Sequence, residues 1–223
     1  MSDFSFDDEP HDAGPFLFDD LVGDAEPTET DRMPSPRAMR MEAKRAMLRV
    51  EREARLADLM PGPPKAGHQV HIVSGAKFDF WTWVPVMIDW LAGVEHLYCS
   101  TWTLSRGNAK ELFALWDAGK IPKAAVRILT GTYFKRRESA VYAYLVEGLR
   151  ARGGRYRAFQ NHAKVLLLAN AKRKTWLTVE SSANLTSNPR LEQYVITNDR
   201  GLHDFHRGWM DEILRRPATD EEV

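Results

Sequence analysis

Asn161-His162-Ala163-Lys164-Val165-Leu166-Leu167-Leu168, followed by Ser181-Ser182-Ala183-Asn184-Leu185-Thr186, are the two segments from which the rest of the chain can be read. His162 and Lys164 stand two apart at the start of an apolar run, and in an extended strand residues i and i+2 share a face. Both side chains can therefore reach one site. Lysine brings three donors and a positive charge, neutral imidazole a nucleophilic or proton-accepting nitrogen, and the Asn184 carboxamide a donor for an oxyanion. Such a set binds and attacks a phosphate. His-x-Lys by itself more often marks two solvated side chains. The second polar cluster, Ser182 and Asn184, follows a strand-like run at 175–179 that a basic turn at 170–174 joins to the first, and a hairpin of this kind brings the two polar ends together.

These residues resemble the signature of the phospholipase D superfamily: His-x-Lys, an Asp after four further residues, then Gly-Ser-x-Asn. His162-x-Lys164 and Ser182-x-Asn184 match, with Ser181 in the Gly place. Ala169 stands at the Asp position, Asn170 beside it, and the hairpin between the half-motifs is several residues longer than the common form. Glu192, within 188–196, resembles the acidic residue that precedes the last sheet strand.

The resemblance implies an α/β fold, a largely parallel sheet between helices, with the active site at one sheet edge. It implies that His162 attacks phosphorus to give a phosphohistidine, that a second His protonates the leaving oxygen, and that water completes hydrolysis without a metal or cofactor. With one His-x-Lys in the chain, the second His implies a homodimer that places two copies of His162 across a shared groove. Lys164 and Asn184 take the role of phosphate binding and charge stabilisation, and Ser182 hydrogen-bonds within the site. Ala169 offers no carboxylate, so Glu192 is expected to accept the other ring N–H of His162, with Glu180 as the alternative.

At 223 residues and 43% hydrophobic content the chain fits one domain of ordinary size plus a tail. The single Cys99 cannot form an internal disulfide, and a reducing, cytoplasmic setting is the default expectation. Acidic residues open the chain where a secretory leader would be basic. The apolar patch at 78–93 carries Asp79, Pro85 and Asp89 and is shorter than the roughly 20 residues of a membrane span. No membrane association is expected.

A formal net charge of zero hides an asymmetry: residues 1–31 hold 11 acidic side chains and no Lys or Arg, whereas residues 59–216 hold 23 Lys plus Arg against 13 Asp plus Glu. The basic part suits a polyanionic partner, nucleic acid and most readily DNA, the plain alternative being a solvated basic surface. Lys135, Arg136 and Arg137, with Lys172, Arg173 and Lys174, are the expected nucleic-acid contacts, mainly to the backbone.

Taken in order, residues 1–34 read as an acidic disordered tail. Its segment 16–21, Phe-Leu-Phe-Asp-Asp-Leu, could dock on a protein partner or cover the basic groove. Residues 35–60 read as a basic amphipathic helix, opened by Ser35-Pro36 and closed by Pro61-Gly62-Pro63-Pro64. The domain proper is placed at 61–217, before a short acidic tail at 218–223. Within it the pattern predicts strands at 69–73, 94–101, 124–129, 156–159, 162–168, 175–179 and 194–198, with helices at 80–91, 108–116, 139–152 and 203–215. The aromatics between Phe78 and Trp102 read mostly as core, with Trp81 or Trp102 the candidates to stack on a base. His203 and His206 have a spacing that could chelate a metal, but a helix end is the simpler reading.

The function these readings imply is that of a phosphodiesterase, a metal-independent endonuclease acting on DNA or RNA. The alternative is an inactive superfamily member that binds nucleic acid or a protein assembly, with a lipid phosphodiesterase the less favoured reading.

Overall fold

A computed structural model describes residues 55–75, 79–123, 125–186 and 191–216, all within the compact unit Lys44–Val223. The acidic tails and most of the basic helix lie outside the described residues. Residues 55–59 are helical, and Leu56 and Met60 are buried in the same core as the sheet.

Seven strands make one sheet: β1 (Gln69–Gly75), β2 (His96–Ser100), β3 (Val126–Gly131), β4 (Arg155–Phe159), β5 (Val165–Asn170), β6 (Thr175–Ser181) and β7 (Leu191–Asn198). Their order is β1-β7-β6-β5-β2-β3-β4. The helices are α1 (Trp83–Leu91), α2 (Arg106–Asp117), α3 (Thr132–Arg137), α4 (Ser139–Ala151) and α5 (Arg200–Arg215). From the pairings, β1, β2, β3, β4 and β6 point one way, and β5 and β7 run back between them. The sheet is thus largely parallel in strand direction, while only β2-β3-β4 are parallel neighbours.

Both faces are covered. Leu166 and Leu168 of β5, with Leu177, Val179 and Ile128, pack with Met87, Leu112, Trp116 and Leu145 from α1, α2 and α4. The alternate residues Val165 and Leu167, with Tyr98 and Leu129, pack with Met210 and Leu214 of α5. This explains the unbroken apolar run of β5, since a strand covered on both faces has no polar side to show. Cys99 fills space in the larger core, and burial pushes its thiol up to about 12.

Two local features differ from the sequence reading. The chain at 162–164 runs extended but outside the ladder, and β5 begins at Val165. The segment Thr132–Arg137 forms a short helix that the pattern does not signal, because of its six residues only Phe134 is buried and six residues are too few for a period to register. Other elements match to within a few residues at their ends. The hairpin turn after β5 is closed by Asn170, whose carboxamide oxygen accepts from Arg173 N while its NH2 donates to the carbonyls of Leu91 and Gly93.

Candidate active site

The directions of the strands bring seven chain segments to one edge of the sheet. The carboxyl ends of β1, β2, β3, β4 and β6 arrive there, as do the starts of β5 and β7. Ligands of open α/β sheets bind at this edge because loops leaving the strand ends can diverge around a crevice. His162, Lys164, Ser182, Asn184 and Glu192 all sit on these segments.

Asn161 sets the site's spine. Its buried carboxamide donates to Ser100 Oγ at 2.9 Å and to the Thr101 carbonyl at 3.2 Å, and its oxygen accepts from Ala163 N at 3.0 Å. Ser100 Oγ in turn donates to the Ala163 carbonyl. With the backbone held on both sides, the His162 side chain is presented outward, and the residue is exposed. Lys164 is buried, and its carbonyl accepts from Ser181 N at 3.1 Å, which carries the β5–β6 pairing one step past the strand.

Lys164 Nζ donates to the His162 carbonyl at 2.8 Å and faces the imidazole at 2.9 Å from Nδ1 and 3.2 Å from Nε2. Burial and then the Lys164 charge lower the His162 pKa, so the ring is neutral at neutral pH, as a nucleophile requires. Burial lowers the Lys164 pKa as well, opposed by the Glu192 carboxylate.

Asn184 is oriented by its oxygen, which accepts from Trp102 N at 3.3 Å. Its NH2 has no partner among the described residues and is left as a donor. Ser182 accepts from Gln193 N at 3.1 Å and donates through its hydroxyl to Glu192.

The expected contact between Glu192 and the His162 ring is not formed among the described residues. The Glu192 carboxylate is engaged by the Ser182 hydroxyl, and the Lys164 ammonium occupies the edge of the ring that carries its nitrogens. Glu180 is no substitute. It stands opposite Val165 in the ladder, on the α5 face, with its carboxylate 3.3 Å from His206 Nε2.

Position 169 needs a different reading as well. At about 3.3 Å per residue, it lies roughly 16 Å along β5 from Lys164. Ala169 alternates with Val165 and Leu167 on the α5 side and stands opposite His96. A carboxylate there would face His96 rather than His162, so Ala169 removes nothing from the imidazole.

The basic clusters separate. Lys172, Arg173 and Lys174 lie at the far end of the β5–β6 hairpin, roughly 20 Å from Lys164 by the same rise. They do not flank the His162 face. Lys135, Arg136 and Arg137 close α3, which follows the β3 end at this edge. Lys135 lies against Tyr142, Arg136 is exposed, and Arg137 bonds the Tyr133 hydroxyl.

Trp81 is core: 2% exposed, its indole N–H donates to Glu111. Trp102 instead sits beside the site, its ring centroid 5.7 Å from that of His162 and 4.9 Å from that of Tyr133. His203 and His206 are buried under α5, and His203 meets His96 with their Nε2 atoms 3.1 Å apart. No group of three or more metal-capable side chains gathers among the described residues.

Sequence reasoning gave no role to Asn161, Ser100, Thr101 or Tyr133. Only Asn161 carried a signal, being the polar residue directly before His-x-Lys. No helix among the described residues is long and apolar enough to cross a membrane.

Comparison with protein-family models and with curated proteins gives no match. Solved structures do match. The chain is similar to a phospholipase D family member. That protein, Nuc from Salmonella typhimurium, aligns at 15% identity over 70% of this chain and 99% of its own, with a TM-score of 0.47. The chain is also similar to polyphosphate kinase from Porphyromonas gingivalis, at 16% identity and a TM-score of 0.45, over 65% of this chain and 23% of the kinase.

Proposed function

We propose that this chain is a phosphodiesterase of the phospholipase D type that cleaves nucleic acid through a phosphohistidine at His162. The observation that carries this reading is the pairing of an exposed, neutral imidazole with a buried ammonium 2.9 Å away, at the sheet edge where the Asn184 NH2 has no partner among the described residues. His162 attacks phosphorus and the P–O bond to the leaving group breaks. The leaving oxygen takes a proton from a second imidazole, which the bound phosphate anion keeps protonated, and the neutral imidazole left behind then deprotonates the water that cleaves the P–N bond. Lys164 and Asn184 hold the non-bridging oxygens, where preorganised donors are worth most as charge builds in the transition state.

The second imidazole is His162 of another copy, since a two-fold assembly presents the same patch twice. The other described histidines have partners away from His162: His96 and His203 each other, His206 Glu180 and Trp209, His71 Gln69, and His68 the Ala66 carbonyl. A nucleic-acid substrate is favoured by the basic excess of residues 59–216 and by the aromatic and cationic side chains of α3 beside the site. In chelator, the protein is expected to cut plasmid or single-stranded DNA, and His162→Ala to abolish cutting. Cleavage that requires Mg²⁺ and persists in His162→Ala would sink the reading.

A further inference from the structure

Among the described aromatics of the sheet and its loops, Trp102, Tyr133 and Trp176 are half-buried and outside both cores, and of these Trp102 and Tyr133 stand beside His162. Phe80, Trp81, Trp83, Phe134 and Tyr156 are no more than 2% exposed and belong to the main core. Trp102 and Tyr133 are half-buried and belong to neither core, nor to the partly buried side chains packed on them. Their rings are nevertheless ordered, with planes 16° apart and centroids 4.9 Å apart. A near-parallel stack at the surface leaves ring area facing water, which a structural pair would bury.

The stack is held in place by the site itself. The Trp102 main chain donates to Asn184 Oδ1, and its carbonyl accepts from Gly131 N at 3.2 Å. Gly131 also makes room for the indole, since a Cβ there would lie 2.5 Å from Trp102 Cδ1. Tyr133 follows two residues later and lays its ring on the indole. At the outer end, the exposed Arg137 places its guanidinium 5.5 Å from the Tyr133 ring centroid and donates to its hydroxyl. His162, tilted 54° from the indole, then the stacked Trp102 and Tyr133, and then Arg137 thus follow one another outward from the imidazole.

The geometry points to this arrangement as a stacking subsite for an unpaired nucleobase next to the phosphate at His162, so that the preferred substrate is single-stranded nucleic acid. The inference rests on the phosphodiesterase reading for what happens to the phosphate, but not for the binding. A base flanking a phosphate held by Lys164 and Asn184 comes within reach of the rings, and each base has a π-face that an aromatic can take whatever its identity. Arg137 is the exposed member. As a base covers the outer face of Tyr133, the guanidinium can turn to stack on that base or pair with the next phosphate. A duplex cannot use such a subsite without unstacking, because its base faces are already covered.

The test compares two end-labelled oligomers of equal length and charge, a thymidylate oligomer and one of abasic deoxyribose phosphates, using the full chain in chelator. Binding is read by fluorescence anisotropy and cleavage by gel. The thymidylate oligomer is expected to bind about tenfold more tightly than the abasic one. Tyr133→Ala should bring the two within about twofold, and Tyr133→Phe, which keeps the ring, should restore most of the gap. Equal binding of both oligomers by the unaltered protein overturns the inference, as does a gap that survives Tyr133→Ala. Should Tyr133→Ala fail to fold, the comparison on the unaltered protein still decides. If the thymidylate oligomer binds preferentially but neither is cut, the phosphodiesterase reading falls and the stacking subsite stands.

Discussion

Partial burial and the Lys164 charge act together on the His162 imidazole. Burial and the Lys164 charge both favour the neutral imidazole, so His162 in the folded protein titrates below the ordinary histidine value near 6.5. In the proposed reaction the nucleophile must be unprotonated. The acid limb of kcat/KM is therefore expected to inflect below about 6.5, the value of a free imidazole. Lys164→Met removes the charge beside the ring and the donor to the phosphate together. It should move that limb upward and cost about 10²–10³ in kcat/KM, the usual loss for one oxyanion donor. A pH series on a labelled oligomer in chelator measures both, and a limb that stays put in Lys164→Met would separate His162 from Lys164. At this scale the meeting of the two motifs was legible in sequence, because His-x-Lys and Ser-x-Asn stand at the paired ends of one predicted hairpin. Their partners were less so: Trp102 meets His162, and Tyr133 meets Trp102, from strand ends distant in sequence, and Glu192 at the start of β7 is engaged by the Ser182 hydroxyl.

The seam between the sheet and α5 is where the elements carry their least ordinary chemistry. His96 of β2 meets His203 of α5 Nε2 to Nε2 at 3.1 Å. Asp204 and Arg207 of α5 and Arg127 of β3 act on His96 as well. Burial, followed by the facing His203 and the two arginines, lowers the His96 pKa to about 4, with Asp204 opposing. A histidine depressed on folding binds fewer protons than it does unfolded. Its contribution is thus complete above about pH 6.5 and is lost as the pH falls towards 4, at most about 3 kcal/mol. Urea unfolding at pH 7.5 and pH 4.5 should show a loss of that order, and His96→Gln, which cannot protonate, should lose distinctly less. An equal loss in both proteins would remove His96 from the account. The same seam explains what sequence could and could not give about the fold. The unbroken apolar run of β5 and the helical pattern over 203–215 are strong local signals, and both elements were readable. That Ala169 faces this seam instead of the nucleophile depends on the ladder register, which no single segment encodes.

At the scale of the whole molecule, the proposed reaction needs a second imidazole beside His162. Among the described residues, His96, His203 and His206 lie in the α5 seam, while His71 on β1 meets Gln69 and His68 meets the Ala66 carbonyl. A two-fold pairing of the His162 faces solves this with the same patch used twice. The consequence can be counted. If each composite site needs both copies of His162, a dimer with one His162→Ala subunit is dead. Equal amounts of the two chains, refolded together so that subunits mix at random, then leave about a quarter of the unmixed activity per total protein. Independent protomers would leave about a half. The measured particle mass should be that of a dimer under the same conditions. A monomeric mass with a half-residual activity would mean that the proton for the leaving oxygen comes from solvent or from the substrate, and that each chain works alone.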